Sequence, residues 1–186
     1  MGLSEFGRNV VREMNRLGML VDCSHSAYRT TMEAMEMSTA PVIFSHSNAW
    51  SLRRHGRNIR DDQIKACART GGVVGINGIG LFLGDNDTRS ATVVDHIAHV
   101  VRLVGAEHVG IALDYAFEVG GLDGLLAANP VVWPASEGYG TLGLGFVPPG
   151  QLPEIAETLL ARGFSERETR GVLGENFLRV ASRVWK

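Results

Sequence analysis

The stretches VDCSHSAYR (residues 21–29) and VIFSHSNAW (residues 42–50) are each an apolar run that stops at Ser-His-Ser. MLVDC and PVIFS read as short buried strands, and Pro41 is tolerated at the first position of the second. The residues between them, AYRTTMEAMEM, have helical spacing. The same alternation extends in both directions. LSEFGRNVVREMNRLG is helical through Phe6, Val10, Met14 and Leu17, and Gly18 can stop it. Downstream, DDQIKACART is a helix with Asp61 as its expected N-cap, followed by the strand GVVGIN. A strongly apolar helix, ATVVDHIAHVVRLVG, leads to a fourth strand, HVGIAL. Buried strands alternating with helices imply an α/β fold with a parallel sheet.

After Leu113 the rhythm breaks. Residues 114–150 are rich in Gly and Pro and read as a long irregular loop that shapes a pocket. Three helices close the chain: QLPEIAETLLARG, SERETRGVLG with a Ser165–Glu168 capping box, and ENFLRVASRVWK. The 186 residues suit one domain, 1–186. A formal net charge of −2 argues against a nucleic-acid partner. No apolar run is long enough to span a membrane, and the first residues have no signal-like apolar region. Cys23 and Cys67 have no metal or redox spacing and read as reduced, buried small hydrophobes, which suits a cytoplasmic protein.

In parallel α/β proteins the side chains at the carboxyl ends of strands face the ligand site. His25, His46, Asn77 and Asp114 stand there. A lone strand-end histidine is most simply a hydrogen-bonding cap. Two in matched settings favour ligation of one metal, because neutral imidazole is a good zinc ligand. The flanking Ser24, Ser26, Ser45 and Ser47 are candidates for orienting the rings. Asp114 can be a metal ligand, a general base or a helix N-cap, and spacing leaves these open. Arg57 shares a loop with Arg53, Arg54 and His55, and position alone does not single it out. His96 and His99, three apart on a helix, have weak ligand spacing, while His55 and His108 are expected on the surface. Trp133 and Tyr139 either line a pocket or pack the loop.

Six stretches in order, GMLVDCSHSAYRT, APVIFSHSNAW, RNIRDDQI, GGVVGIN, HVGIALDY and LLARGFSERETRGVLGENFLRV, resemble the membrane (renal) dipeptidase family of zinc peptidases, M19. The resemblance implies a distorted (β/α)₈ barrel with two zinc ions at its C-terminal mouth and a small dipeptide as substrate. It implies that His25 and His46 bind one zinc, that Arg57 holds the substrate's terminal carboxylate, and that Asp114 handles protons beside the metals. Other members carry a second Asp shortly after that one; here the position is Ala116. The family's His-x-Asp pair and its metal-bridging Glu have no counterpart in this sequence. The expectation is therefore a partial barrel, about four parallel strands plus C-terminal helices, supplying ligands for one metal. Such a chain is a fragment, a truncated gene product, or one half of an assembly completed by another copy or by an N-terminal half. A non-catalytic half-barrel and another metal-dependent amide or lactone hydrolase are the competing readings.

Overall fold

The computed structural model describes residues 2–117, 122–140 and 143–186. Helix α1 (Glu5–Leu17) starts at Ser4, whose hydroxyl accepts from the Gly7 N–H, and ends at Gly18 in the left-handed conformation. Strand β1 (Val21–Asp22) follows, then α2 (Tyr28–Met37), β2 (Val42–Ile43), α3 (Asp61–Arg69), β3 (Val74–Ile76), a short α4 (Gly80–Leu83), α5 (Ser90–Val104) and β4 (Val109–Ile111). The chain then forms α6 (Leu122–Ala128), α7 (Leu152–Ala161), α8 (Glu166–Arg170), a π-helical turn over Gly171–Glu175, and α9 (Asn176–Val184).

β1 pairs with β2 in parallel, Val21 opposite Val42, and β3 pairs with β4 in parallel, Val74 opposite Val109. A parallel bridge between Phe44 and Val74 joins the two pairs, so the four strands lie side by side in chain order. The Phe44 N–H donates to Val73 O and the Gly75 N–H to Phe44 O. This ordering is what successive right-handed strand–helix–strand units produce. Gly75 permits the join: a Cβ there would lie 2.1 Å from the Ser45 carbonyl oxygen. Phe44, Ile76, Val42, Val74 and Ile97 are fully buried in the core under α5.

The strands are shorter than the apolar runs suggest. Their ladders end where the Asp22 carboxylate takes over as acceptor for the Ser24 and Ser45 N–H groups. The N-cap of α3 is Arg60 rather than Asp61. The Gln63 side chain accepts from the Arg60 N–H at 2.9 Å, while Asp61 accepts from Ser51 and His99. The Ser165–Glu168 capping box forms as expected. The stretch after β4 is more ordered than its composition suggests. It contains α6 and returns to pair with the chain beyond β3, through an antiparallel bridge between Ile79 and Phe146. No helix among the described residues is long and apolar enough to cross a membrane.

Candidate active site

The parallel order brings the two Ser-His-Ser segments to adjacent strand ends. His25 Nε2 and His46 Nε2 lie 2.9 Å apart, with ring centroids separated by 4.9 Å. His25 sits in a tight turn with φ of 62°, outside the usual range for a non-glycine residue, and is exposed. His46 is half-buried. Burial pushes the His25 imidazole below its usual pKa; Arg57 and His46 push the same way, against Asp114 and Asp22. The neutral ring, with a lone pair to give, is therefore the favoured form.

Behind this pair stands a group that sequence reading missed. Asp22 Oδ2 accepts from Ser45 Oγ at 2.5 Å, and Ser45 Oγ lies 2.7 Å from His46 Nδ1. A hydroxyl has one proton to donate, and the carboxylate can only accept it. Ser45 then accepts from His46 Nδ1–H, and this network assigns the His46 lone pair to Nε2, facing His25. Ser24 completes the support: its hydroxyl accepts from the His46 N–H at 3.1 Å. Burial alone would raise the Asp22 carboxyl, but the hydrogen bonds from Ser45 and Ser24 outweigh it and hold it below its ordinary value. Ser24 and Ser45 thus do the orienting expected of the flanking serines. Ser47 is buried and donates its N–H to Gly75 O, while Ser26 donates its N–H to Cys23 O. No local spacing signals this role, because the hydroxyl that links Asp22 to His46 comes from the neighbouring strand.

Arg57 reaches the same point. Its Nη2 is 3.2 Å from His25 Nε2 and 3.4 Å from His46 O. The guanidinium stacks over the Phe82 ring, 5.6 Å from the centroid, and burial lowers its pKa. His55, expected at the surface, is buried instead. Its Nδ1 accepts from the Arg57 N–H at 3.1 Å, and its Nε2 donates to Glu137 O at 3.0 Å. It packs against Phe82 and Tyr139. A histidine in a basic loop gave no sign of this, because the residues that bury it, Phe82, Glu137 and Tyr139, lie more than twenty residues away. Burial lowers the His55 pKa, which keeps the bridging neutral form.

Asp114 stands at the end of β4 with φ of 54° and is exposed. Asn77 Nδ2 donates to Asp114 Oδ2 at 2.9 Å. Asn77 is itself locked: its Oδ1 accepts from Ile79 N–H, its N–H donates to Asn48 Oδ1, and Asn48 Nδ2 donates to Asn77 O. This buried amide pair fixes one carboxylate oxygen and leaves Oδ1 as the acceptor.

Two cavities meet at these residues. One, of about 460 Å³, is lined by His25, Tyr28, Trp50, His55, Arg57 and Arg60 among others. The second, of about 210 Å³, has His25, Arg57 and Asp114 at one end and apolar side chains elsewhere. His96 and His99 stay out of the site. His96 is buried between the Ala49 N–H and Leu83 O, and His99 bonds Asp61. His108 is half-buried and bonds Gly72 O. Both cysteines are free and buried. Among the described residues, no third His, Cys, Asp or Glu joins the histidine pair in a set that could hold a metal.

Residues 1–129 match the family model for membrane dipeptidase (peptidase family M19). Among solved structures, an amidohydrolase from Pseudomonas aeruginosa is similar with a TM-score of 0.83 and 36% identity, covering 99% of this chain and 58% of its own. A dipeptidase described as an M19 metallo peptidase gives 0.78 at 26% identity, over 100% of this chain and 48% of its own. A metallo peptidase from Rhodobacter sphaeroides, liganded with a phosphinate mimic of the dipeptide L-Ala-D-Ala, gives 0.76 at 28%, again over 100% and 48%. The chain therefore spans about half the length of the solved relatives it matches.

Proposed function

Because the chain belongs to the membrane dipeptidase family, peptidase M19, we propose that it carries part of the active site of a zinc-dependent dipeptidase, built on part of a (β/α)₈ barrel. The carrying observation is the 2.9 Å approach of His25 Nε2 to His46 Nε2 on a cavity that also presents Arg57 and Asp114.

The donor pair suits zinc. Two imidazole nitrogens bound at about 2.0–2.1 Å with a tetrahedral angle lie roughly 3.4 Å apart. The observed 2.9 Å is shorter by about half an ångström, so the rings would move apart slightly to hold the ion. Asp22 and Ser45 back His46 in the way ligating histidines are commonly held. When bound, the metal supplies Lewis acidity and lowers the pKa of water to about 7.

The chain's own residues do the rest. Arg57 pairs with the substrate's terminal carboxylate and holds the peptide in register. Asp114, steadied at Oδ2 by Asn77, takes the proton at Oδ1 during attack and returns it to the leaving amine. The test is the full chain loaded with zinc and given a small dipeptide panel. Hydrolysis that Asp114→Asn cuts by about 100-fold or more is expected. No hydrolysis above the level of that variant would overturn the reading.

The donor count favours one refinement. Two histidines give two of the four donors of a zinc site, so further chain or a second copy completes it. Light scattering with and without zinc tests completion by a second copy. A chain that stays monomeric while binding zinc tightly would refute it.

A further inference from the structure

The second cavity is separate in character from the polar strand ends. Its walls come from a satellite cluster, apart from the main core, in which Phe82, Leu126 and Tyr139 are buried and Trp133 and Phe146 pack against them. The rings meet edge to face: Trp133 with Tyr139 at 5.1 Å and Phe82 with Tyr139 at 6.2 Å between centroids. The walls are pinned by more than apolar contact. The Gly80 N–H donates to Gly145 O and the Val147 N–H to Gly78 O. Asn86, in the left-handed conformation, donates to Gly143 O and accepts from the Gly145 N–H. His55 ties the same wall to Arg57 through Glu137 O. The cavity is therefore a built pocket, and among the described residues its lining includes the charged or ionisable His25, Arg57 and Asp114 together with the Tyr139 ring.

We propose that this pocket is a side-chain subsite, which takes one apolar, preferably aromatic, side chain of a carboxylate-bearing substrate while Arg57 holds the carboxylate. At about 210 Å³ it is smaller than the roughly 300–1,000 Å³ of pockets that enclose a drug-sized ligand, so it suits one side chain rather than a whole ligand. The Arg57 guanidinium carbon sits over the Phe82 ring, 5.6 Å from its centroid, and both residues line the pocket, so one arginine borders the carboxylate position and the apolar opening. Ala116 also lines it. Its methyl group adds no charge or polar atom to the apolar lining. The proposal rests on the dipeptidase reading for its substrate, but its binding test does not need hydrolysis.

That test compares 3-phenylpropionate with propionate on the full chain, by ligand-observed NMR or calorimetry. Burial of the phenyl group should make the first bind about 10- to 100-fold tighter. Ala116→Leu fills the pocket and should erase most of the difference. Leu125→Asp, at a pocket residue that is 57% exposed and so tolerant of change, should do the same by placing a charge at the rim. Equal binding of the two acids, or a preference untouched by both variants, would overturn the subsite. On dipeptides, a faster turnover of Phe- or Leu-containing substrates than of Ala-Ala, lost in Ala116→Leu, supports it. Hydrolysis with no such preference refutes the subsite and leaves the dipeptidase reading standing. Absence of all hydrolysis refutes the dipeptidase reading, and the acid-binding comparison still decides the pocket.

Discussion

Replacing Asp22 by Asn should weaken zinc binding at the histidine pair by about 10- to 100-fold, roughly 1.4–2.7 kcal/mol. The magnitude follows from one proton. In the native network Ser45 gives its proton to Asp22 Oδ2 at 2.5 Å and accepts from His46 Nδ1–H at 2.7 Å. An amide NH₂ in place of Oδ2 cannot accept. Ser45 then turns its proton to His46 Nδ1, the nearer acceptor at 2.7 Å against 3.4 Å to Ser24 Oγ, which moves the ring proton to Nε2. That nitrogen is the one that faces His25, and its lone pair is lost to a metal. Rebuilding the ligating tautomer means leaving two donors face to face beside a semi-exposed hydroxyl, at about 1–2 kcal/mol.

Two controls separate this from simple unfolding. Asp22 Oδ1 also accepts the Ser24 and Ser45 N–H groups at 2.9 and 3.0 Å, and Asn keeps an oxygen for them. Ser45→Ala removes the relay while leaving the Asp22 carboxylate on both backbone donors. Calorimetric zinc titration gives the affinity, and ¹⁵N spectra of the imidazole give the tautomer directly. The expected result is a shift of the His46 proton from Nδ1 to Nε2 in Asp22→Asn, with affinity falling in parallel. Zinc affinity within about threefold of wild type, with the ring still protonated at Nδ1, would refute the relay.

Arg57→Lys should raise KM for dipeptides about 10- to 100-fold with a smaller change in kcat, because a point charge replaces the planar fork; an unchanged KM removes Arg57 as the carboxylate clamp. Burial, against the pull of Leu83 O, holds His96 below its ordinary value of 6.5. The unfolded chain then takes up a proton near pH 6.5 that the folded chain refuses, so this contribution to stability is full above that pH and is lost as pH falls below it. Urea midpoints should therefore drop between about pH 7.5 and 5.5, and by less in His96→Gln; identical slopes would exclude His96 as a source. Burial pushes the Cys23 thiol up to about 12 and Cys67 higher still. Neither should react with a disulfide reagent at about pH 8 until the chain is unfolded; rapid labelling of the folded protein would contradict the burial of both.

How far the fold and site were readable depended on how local their causes are. Helices with a dominant apolar face and a local cap, such as α1 after Ser4 and α8 after Ser165, follow from residues within one turn. The pairing of strand ends was legible because Ser-His-Ser occurs twice at matched positions and each strand–helix unit adds its strand beside the last. His55 and Asp22 were not legible. The burial of His55 is decided by Glu137 and Tyr139, more than eighty residues away. The role of Asp22 depends on a hydroxyl from the neighbouring strand. The stretch after β4 looked irregular because its order comes from Asn86 and from pairing with residues 78–80, not from periodicity of its own. Asp61 failed as a cap for a similar reason: Ser51 and His99 engage its carboxylate, and Gln63 supplies the local turn.

Backbone geometry separates the site from ordinary loop chemistry. Among the described residues, four non-glycine residues have positive φ: His25, Asp85, Asn86 and Asp114. Asp85 and Asn86 occupy one tight turn, where Asn86 is held by two bonds to the chain around Gly143–Gly145. His25 and Asp114 are isolated, each three residues past the end of a strand. Holding a non-glycine residue there costs of order 1–3 kcal/mol, a strain glycine would relieve. Neither side chain recovers that energy through deep packing, since both are exposed. His25 meets His46 and Arg57, and Asp114 meets Asn77; His25, Arg57 and Asp114 line one pocket. A strained backbone that presents an exposed imidazole and an exposed carboxylate to one pocket is poorly explained by folding stability. It fits the roles proposed above for these two side chains in dipeptide hydrolysis.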